Sequence, residues 1–360
     1  MRGFFIYCGL NLRLLRGLLA NLPYHGACHV ALKVIVLGIT HIWPTGCVMS
    51  EPLNRPRFWG SQAAAGLALI SPTAVFAILL LAAPLAATLV YSVMTDGYLT
   101  VIPRFQLCNY IGECHSQLAD GTMAPEGYLG AWSDPIVRTL MARSLIVSML
   151  VTAATVLLAY PVAYFVSFNV EASRKPLWLF MITIPFWTSY VIRVFMWNVM
   201  ISRTGVINSA LEGLHIISDP LQMSFTIQAM VITLAHAYAP FAILPIYVAL
   251  EKIDRSLLEA GQDLGETRFA TFLRVTLPLS MTGVIAAVLI VFIPTIGDYV
   301  TPNLIGGGKI PMIANMIEKQ MLKADNRTLG SAIAVTAMLV VGLVSVVFLL
   351  LNRRYLKGQK

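Results

Sequence analysis

The chain has 360 residues, of which 58% are hydrophobic and only 12% charged. A soluble domain carries about 25% charged residues, so water is excluded as the main solvent of this chain and lipid takes its place. The net charge of +8 does not point to nucleic acid, because no basic run interleaves with exposed aromatics; in a membrane protein an excess of Lys and Arg marks the cytoplasmic loops.

In chain order, residues 1–48 come first. They hold Cys8, Cys28 and Cys47, and their apolar pattern is broken by His25, His29, Lys33 and His41. The stretch 28–48 is only marginally able to span a bilayer. We read 1–48 as an N-terminal extension, with the functional chain starting at Met49; an extra helix is the alternative. Met49-Ser50-Glu51-Pro52, followed by Arg55 and Arg57, makes an ordinary cytoplasmic start.

A membrane-spanning helix needs about 20 mostly apolar residues. Six stretches qualify: 65–93, 144–168, 177–200, 225–250, 279–300 and 329–351. The expected fold is therefore an all-α integral membrane protein, a bundle of six transmembrane helices. Pro84, Pro161, Pro185, Pro240, Pro245 and Pro294 fall inside these stretches. Neighbouring helices can satisfy the carbonyls that proline frees, so each is expected to kink its helix rather than end it.

Positive charge sets the orientation. Arg55, Arg57, Arg174, Lys175, Lys252, Arg255, Arg268, Arg274 and the C-terminal Arg353, Arg354, Lys357 and Lys360 fall on one side, and that side is the denser. It should be cytoplasmic. The loops 96–143, 201–224 and 301–328 then face outward, and 251–278 faces the cytoplasm. Cys108 and Cys114 share the first outward loop, where they either form a local disulfide or remain two free thiols. No cysteine pair has CxxC spacing, which argues against a zinc or redox site.

The 28-residue loop 251–278 is the most informative polar segment. Residues 254–264 have a helical pattern, with Ser256 and Glu259 at capping-box spacing and Gly265 where a helix ends in the left-handed region. A second short helix is expected from Glu266 to Val275, with Phe269, Phe272 and Leu273 on one face. Pro278 then opens the fifth span. By pattern alone this is a helix–turn–helix elbow, either docking a partner or lying on the membrane surface.

The spacing Glu259-Ala260-x-x-x-x-Gly265, with Val275-x-Leu277-Pro278 ten residues on, resembles the EAA loop of permease subunits in binding-protein-dependent ABC importers. That pattern has a second Ala where this chain has Gly261, and Ile where it has Val275. Two further stretches resemble the spermidine/putrescine permeases, the first of the two in such systems. They are Ile184-Pro185-Phe186-Trp187-Thr188-Ser189-Tyr190, with Thr204-Gly205-Val206 after it, and Ile296-Gly297-Asp298-Tyr299-Val300-Thr301-Pro302. The resemblance covers roughly 60–352. It implies the type I importer permease fold over a transmembrane domain of residues 49–360. It also implies a separate ABC ATPase dimer, a second homologous permease and a periplasmic substrate-binding protein as partners. Glu259, Ala260, Gly261, Gly265, Leu277 and Pro278 would couple to the ATPase. The implied cargo is a polyamine; iron, sulfate and opines are the alternatives, since similar permeases carry those.

The chain shows no catalytic constellation, no metal cluster and no call for a cofactor. Gly306-Gly307-Gly308-Lys309 looks like a phosphate loop, but Asn303 and Ile310 stand where the pattern needs Gly and Ser or Thr. His236 has no ligand-spaced neighbour and reads as a histidine satisfied within the bundle. Asp298 and Arg193 are charges at membrane depth, each costing about 2.5–3.5 kcal/mol on insertion scales. Either they pair and lock two helices, or Asp298 lines a translocation path with Tyr299, Trp187 and Tyr190. An ion-coupled carrier would want buried carboxylates and internal symmetry; only Asp298 is available and no symmetry is evident.

Overall fold

The computed structural model describes residues 62–97, 100–112 and 129–357. The expected start at Met49 and the extension 1–48 lie outside these residues. Residues 1–71 and 72–360 form two separate compact units, and of the first only the opening turns of one helix are described.

That helix, α1 (Gln62–Ser92), is apolar on all sides and exposes Val75, Phe76, Leu79 and Leu81, as a helix whose solvent is lipid should. A hairpin follows, β1 (Met94–Gly97) antiparallel to β2 (Thr100–Phe105), and then the one-turn α2 (Cys108–Ile111). Among the described residues this hairpin is the one departure from an all-α chain. Cys108 is disulfide-bonded; Cys114 lies outside the described residues.

The second span is α3 (Pro135–Tyr164), carried on by a π-helical turn over Phe165–Asn169. Asp134 caps it, accepting from the Ile136 N–H at 2.7 Å, and Pro135 sits at the first position, where its missing N–H costs nothing. The fourth span is α7 (Ile227–Glu251), capped by Thr226. The last is α13 (Arg327–Leu351), capped by Asn326. Pro161, Pro240 and Pro245 lie inside helices, as expected.

The third span differs from the expected single helix over 177–200. It is α4 (Lys175–Thr183) and a 3-10 turn over Ile184–Trp187, then a break and α5 (Tyr190–Ile201). The two halves meet at 85°. Pro185 removes a donor, while Ile184 before it stays helical at φ −50°, ψ −49°. Thr188 and Ser189 then adopt extended backbone. A short helix α6 (Val206–Gly213) follows. Among the described residues five helices are long and apolar enough to cross a membrane, six with the bent pair taken as one span.

The fifth span also differs. After the polar helix α8 (Arg255–Asp263), α9 (Arg268–Thr271) does not stop before Pro278. It runs through a π-helical turn (Phe272–Thr276) into α10 (Leu277–Ile296), giving one span over Arg268–Ile296. Its upper end comes early, at Gly297, so Asp298 sits beyond the helix rather than inside it. Beyond it lie α11 (Val300–Leu304), α12 (Ile313–Glu318) and the C-terminal α14 (Arg353–Lys357).

The core lies where α3, α7 and α10 cross. Val147, Val151, Met230, Leu234, Ile246 and Val291 are buried there. Small residues set the spacing: a Cβ on Gly283 would stand 2.5 Å from both the Ala249 Cβ and the Pro245 carbonyl. Between membrane helices there is little hydrophobic driving force, so close backbone approach of this kind carries the packing. Gly306–Gly308 form a turn, with Gly307 and Gly308 at positive φ, which accounts for the glycine run without a phosphate.

Candidate functional site

Two sites stand at opposite ends of α10, which at 1.5 Å per residue is about 30 Å long. One is the elbow at its start; the other is the carboxylate just past its end.

In the elbow, α8 is capped by Asp254, whose Oδ1 accepts from the Ser256 N–H at 3.0 Å. The expected Ser256–Glu259 capping box does not form, because Asp254 already occupies the cap position. The helix ends in a Schellman motif. The Gly265 N–H donates to the Gln262 carbonyl at 2.9 Å, and the Glu266 N–H reaches back to Gly261 at 3.1 Å. Gly265 takes φ +85°, a region costing an L-residue about 1–2 kcal/mol. The sequence expectation for this glycine holds. Gly261 has its own reason: a Cβ there would stand 3.2–3.3 Å from the Thr271 side chain. Thr267 then caps α9 through the Ala270 N–H.

No residue of α8 is buried. Glu259 and Ala260 are exposed, and so are Leu257, Leu264 and Phe269, Leu264 at 86%. Phe272 turns inward and meets Tyr160 and Tyr164 edge-on, with centroids 5.6 and 5.9 Å away. Leu277 and Pro278 are half-buried at the start of α10. A cavity of ≈ 240 Å³, lined in part by Asn169, Gln262, Arg268 and Thr276, separates α8 from the spans. The elbow is a short, water-facing helix with an apolar ridge and no buried anchor, chemically suited to fitting a cleft in another polypeptide.

At the other end, Asp298 is only 6% exposed. Its Oδ2 accepts from the Tyr190 hydroxyl at 2.7 Å, and its Oδ1 from the Val300 and Thr301 N–H groups at 3.0 and 3.4 Å. The Thr301 hydroxyl lies 2.8 Å from the Tyr190 oxygen. With the tyrosine proton committed to the carboxylate, Thr301 is the donor. Tyr238 stands beside Tyr190 at 6.3 Å and Phe241 beside Tyr238 at 6.2 Å, while Phe186 meets Phe241 at 4.0 Å.

The expected Asp298–Arg193 ion pair is absent. Arg193 donates to the Ala237 and Thr188 carbonyls, each at 3.2 Å, and lies 5.0 Å above the Phe186 ring. The break after Trp187 frees the Thr188 carbonyl, and Arg193 takes it instead of a carboxylate. Its Nε is buried without a partner. Among the described residues no Lys or Arg pairs with Asp298. A carboxylate held by neutral donors keeps its charge available to an incoming cation.

Of the four residues expected to line a path, the fold brings Tyr190 and Asp298 together. Trp187 is 79% exposed against Phe180, and Tyr299 is about half exposed beyond the cluster. Tyr238 and Thr301 were not expected. Tyr238 carried one faint signal, an aromatic hydroxyl in an apolar span two residues before Pro240. His236 accepts from the Trp197 ring N–H at 3.1 Å, a satisfied bundle histidine. An apolar cavity of ≈ 650 Å³ among α3, α10 and α13, lined by Val156, Leu157, Val288 and Phe348 among others, holds no carboxylate.

Residues 118–357 match the family described as "Binding-protein-dependent transport system inner membrane component". The chain belongs to this family. It is a multi-pass ABC importer permease of the inner membrane. It is 35% identical over 215 residues to the spermidine/putrescine transport system permease protein PotB of Escherichia coli (strain K12), covering 60% of this chain and 78% of that one. PotB of Haemophilus influenzae is 36% identical over 225 residues, covering 61% and 78%. Among solved structures, the bacterial alginate ABC transporter in complex with alginate pentasaccharide-bound periplasmic protein superposes with a TM-score of 0.59 at 17% identity, over 84% of this chain and 99% of that one. At that identity the likeness establishes the type I importer permease fold.

Proposed function

We propose that this permease forms the translocation pathway for a polyamine such as spermidine or putrescine, with Asp298, Tyr190 and Tyr238 receiving the ammonium groups. The single observation that carries the reading is the buried Asp298 carboxylate, ringed by tyrosines and lacking a cationic partner among the described residues. An arriving ammonium supplies the missing counter-charge, and aromatic faces add about 0.5–2 kcal/mol each. The relatives named for spermidine and putrescine support the same cargo. Asp298→Asn keeps the shape and removes the charge. Spermidine uptake by the reconstituted transporter should fall at least tenfold with the complex still assembled; unchanged uptake would remove Asp298 from the pathway.

In this reading the transmembrane domain is 49–360, with its core at 60–352 and its coupling loop at 251–278. A second homologous permease completes the pathway and a periplasmic binding protein delivers the solute. Separate ATPase subunits supply the work, one of them gripping the elbow through Glu259, Gly265 and the ridge of Leu264 and Phe269. Closure of the ATPase dimer displaces the elbow and tilts α10. By linkage, the outward-facing bundle must favour the closed ATPase by the same free energy. Glu259→Ala with Gly265→Pro should leave insertion intact while ATP hydrolysis no longer drives uptake; normal uptake by that variant overturns the docking role.

A second reading rests on Arg193. Its guanidinium meets no carboxylate, and one N–H is buried and unpaired, which suits a solute that carries a carboxylate, such as an opine. Competition of an opine against spermidine uptake separates the two cargoes.

A further inference from the structure

The elbow raises a mechanical problem. A lever must be fastened to what it moves, yet α8 buries no residue and a ≈ 240 Å³ cavity lies beneath it. Its packing on the fifth span is slight, Gly261 against Thr271. A polar contact at its first turn, from Arg255, adds a second hold.

Glu251 is the last residue of α7, and α8 begins four residues later. Both oxygens of its carboxylate accept from the Lys175 ammonium, at 2.6 and 2.8 Å. The Ser167 hydroxyl donates to Oε2 at 3.1 Å. The Ser167 carbonyl in turn accepts from Arg255 Nη2 at 3.3 Å. Ser167 lies in the π-helical turn that ends the second span, where final carbonyls lack helical donors; Arg255 fills one of them. Lys175 is only 7% exposed and begins α4. Three elements therefore meet at one carboxylate, the end of the second span, the start of the third and the end of the fourth, and the first turn of α8 joins them through the Ser167 carbonyl.

We propose that Lys175 and Glu251 are positioning residues that join the elbow to the third span, so that displacement of α8 turns α4 about the break at Ser189. This rests on the coupling reading above and names the joint it needs. Beyond the break, α5 carries Tyr190, whose hydroxyl holds Asp298. A shift of α4 thus reaches the carboxylate site through a chain of bonded or packed groups, and not through α10 alone. Lys175 is buried and the Glu251 side chain 42% exposed, so removing the carboxylate leaves a buried ammonium uncompensated and the joint opens.

The test uses the complete transporter, co-expressed with its ATPase, second permease and binding protein, in proteoliposomes with spermidine as probe. The readout is ATP hydrolysed per spermidine taken up, which a merely structural residue would leave unchanged in the assembled fraction. Glu251→Gln and Lys175→Met should each raise that ratio at least tenfold. The double variant should be no worse than the worse single, since both remove the same contact. Lys175→Arg, which keeps the pair, should couple normally. An unchanged ratio in Glu251→Gln overturns the proposal, as do single effects that multiply in the double variant. Should Lys175→Met fail to insert, Glu251→Gln decides alone, being a same-size change at a partly exposed side chain. Glu259→Cys, probed for cross-linking, separates this from the reading beneath it. If it does not cross-link to the ATPase, the docking role fails. If it does and Glu251→Gln couples normally, only the joint fails.

Discussion

The elbow and the Asp298 cluster share one helix and obey opposite rules. The elbow takes its shape from local bonds: a cap at Asp254, a left-handed turn at Gly265 and a second cap at Thr267. It buries none of α8, and its apolar ridge is left for something else to cover. The cluster is brought together by a distant bond, from Tyr190 to Asp298, beside the local N–H groups of Val300 and Thr301. Tyr190 and Tyr238 come from the third and fourth spans and Asp298 from just past the fifth, and the carboxylate is buried with its donors already in place. In the proposed reading, a surface to be gripped by another polypeptide stays open, and a site to meet a dehydrated ion is built in advance.

That contrast can be broken first at the rod between the two. Gly283→Leu forces a side chain where only a hydrogen fits, against Ala249 and Pro245 of the fourth span. It should cost about 3 kcal/mol, the upper end of overpacking, and lower the melting temperature of the purified permease while harming both sites. Next, Tyr190→Phe leaves the buried Asp298 short of a donor, at about 2 kcal/mol. Uptake of spermidine should weaken while the ATPase still co-purifies; loss of the ATPase instead would mean that the two ends are not separable. Gly265→Ala acts the other way. Nothing lies within 4 Å of the added methyl, so the cost is the backbone strain alone, about 1 kcal/mol. ATPase association should weaken with solute affinity unchanged. The smallest effect belongs to Arg274→Gln. Its 2.6 Å contact with Glu266 spans the elbow, but the arginine is 73% exposed. Such pairs contribute less than about 1 kcal/mol, and transport should barely change.

The same division explains what the sequence revealed. Gly265 was legible because a helix end is a local event, and the spans were legible because a bilayer demands apolar length. Their interruptions were harder to see. Pro185 and Ser189 stood in the third span, but the apolar run around them masked an 85° break. The fifth span was placed at 279–300, yet its helix starts before Pro278 and stops at Gly297, which removes Asp298 from the membrane helix. Once that break turned Arg193 towards the Thr188 carbonyl, the expected ion pair had no arginine left. Ser256 was chosen as a cap on spacing, but Asp254 stood two residues earlier with a better acceptor. Tyr238 was out of reach, since nothing near residue 238 announces a neighbour at 190 or 298.

The missing side chain at Gly283 has one more implication. With backbone set against backbone at that crossing, the fourth and fifth helices are interlocked like the teeth of a closed zip, and neither can slide or swivel alone without a clash. Any rocking of this subunit must therefore carry the two as a single block, leaving the hinged third helix as the part that gives way.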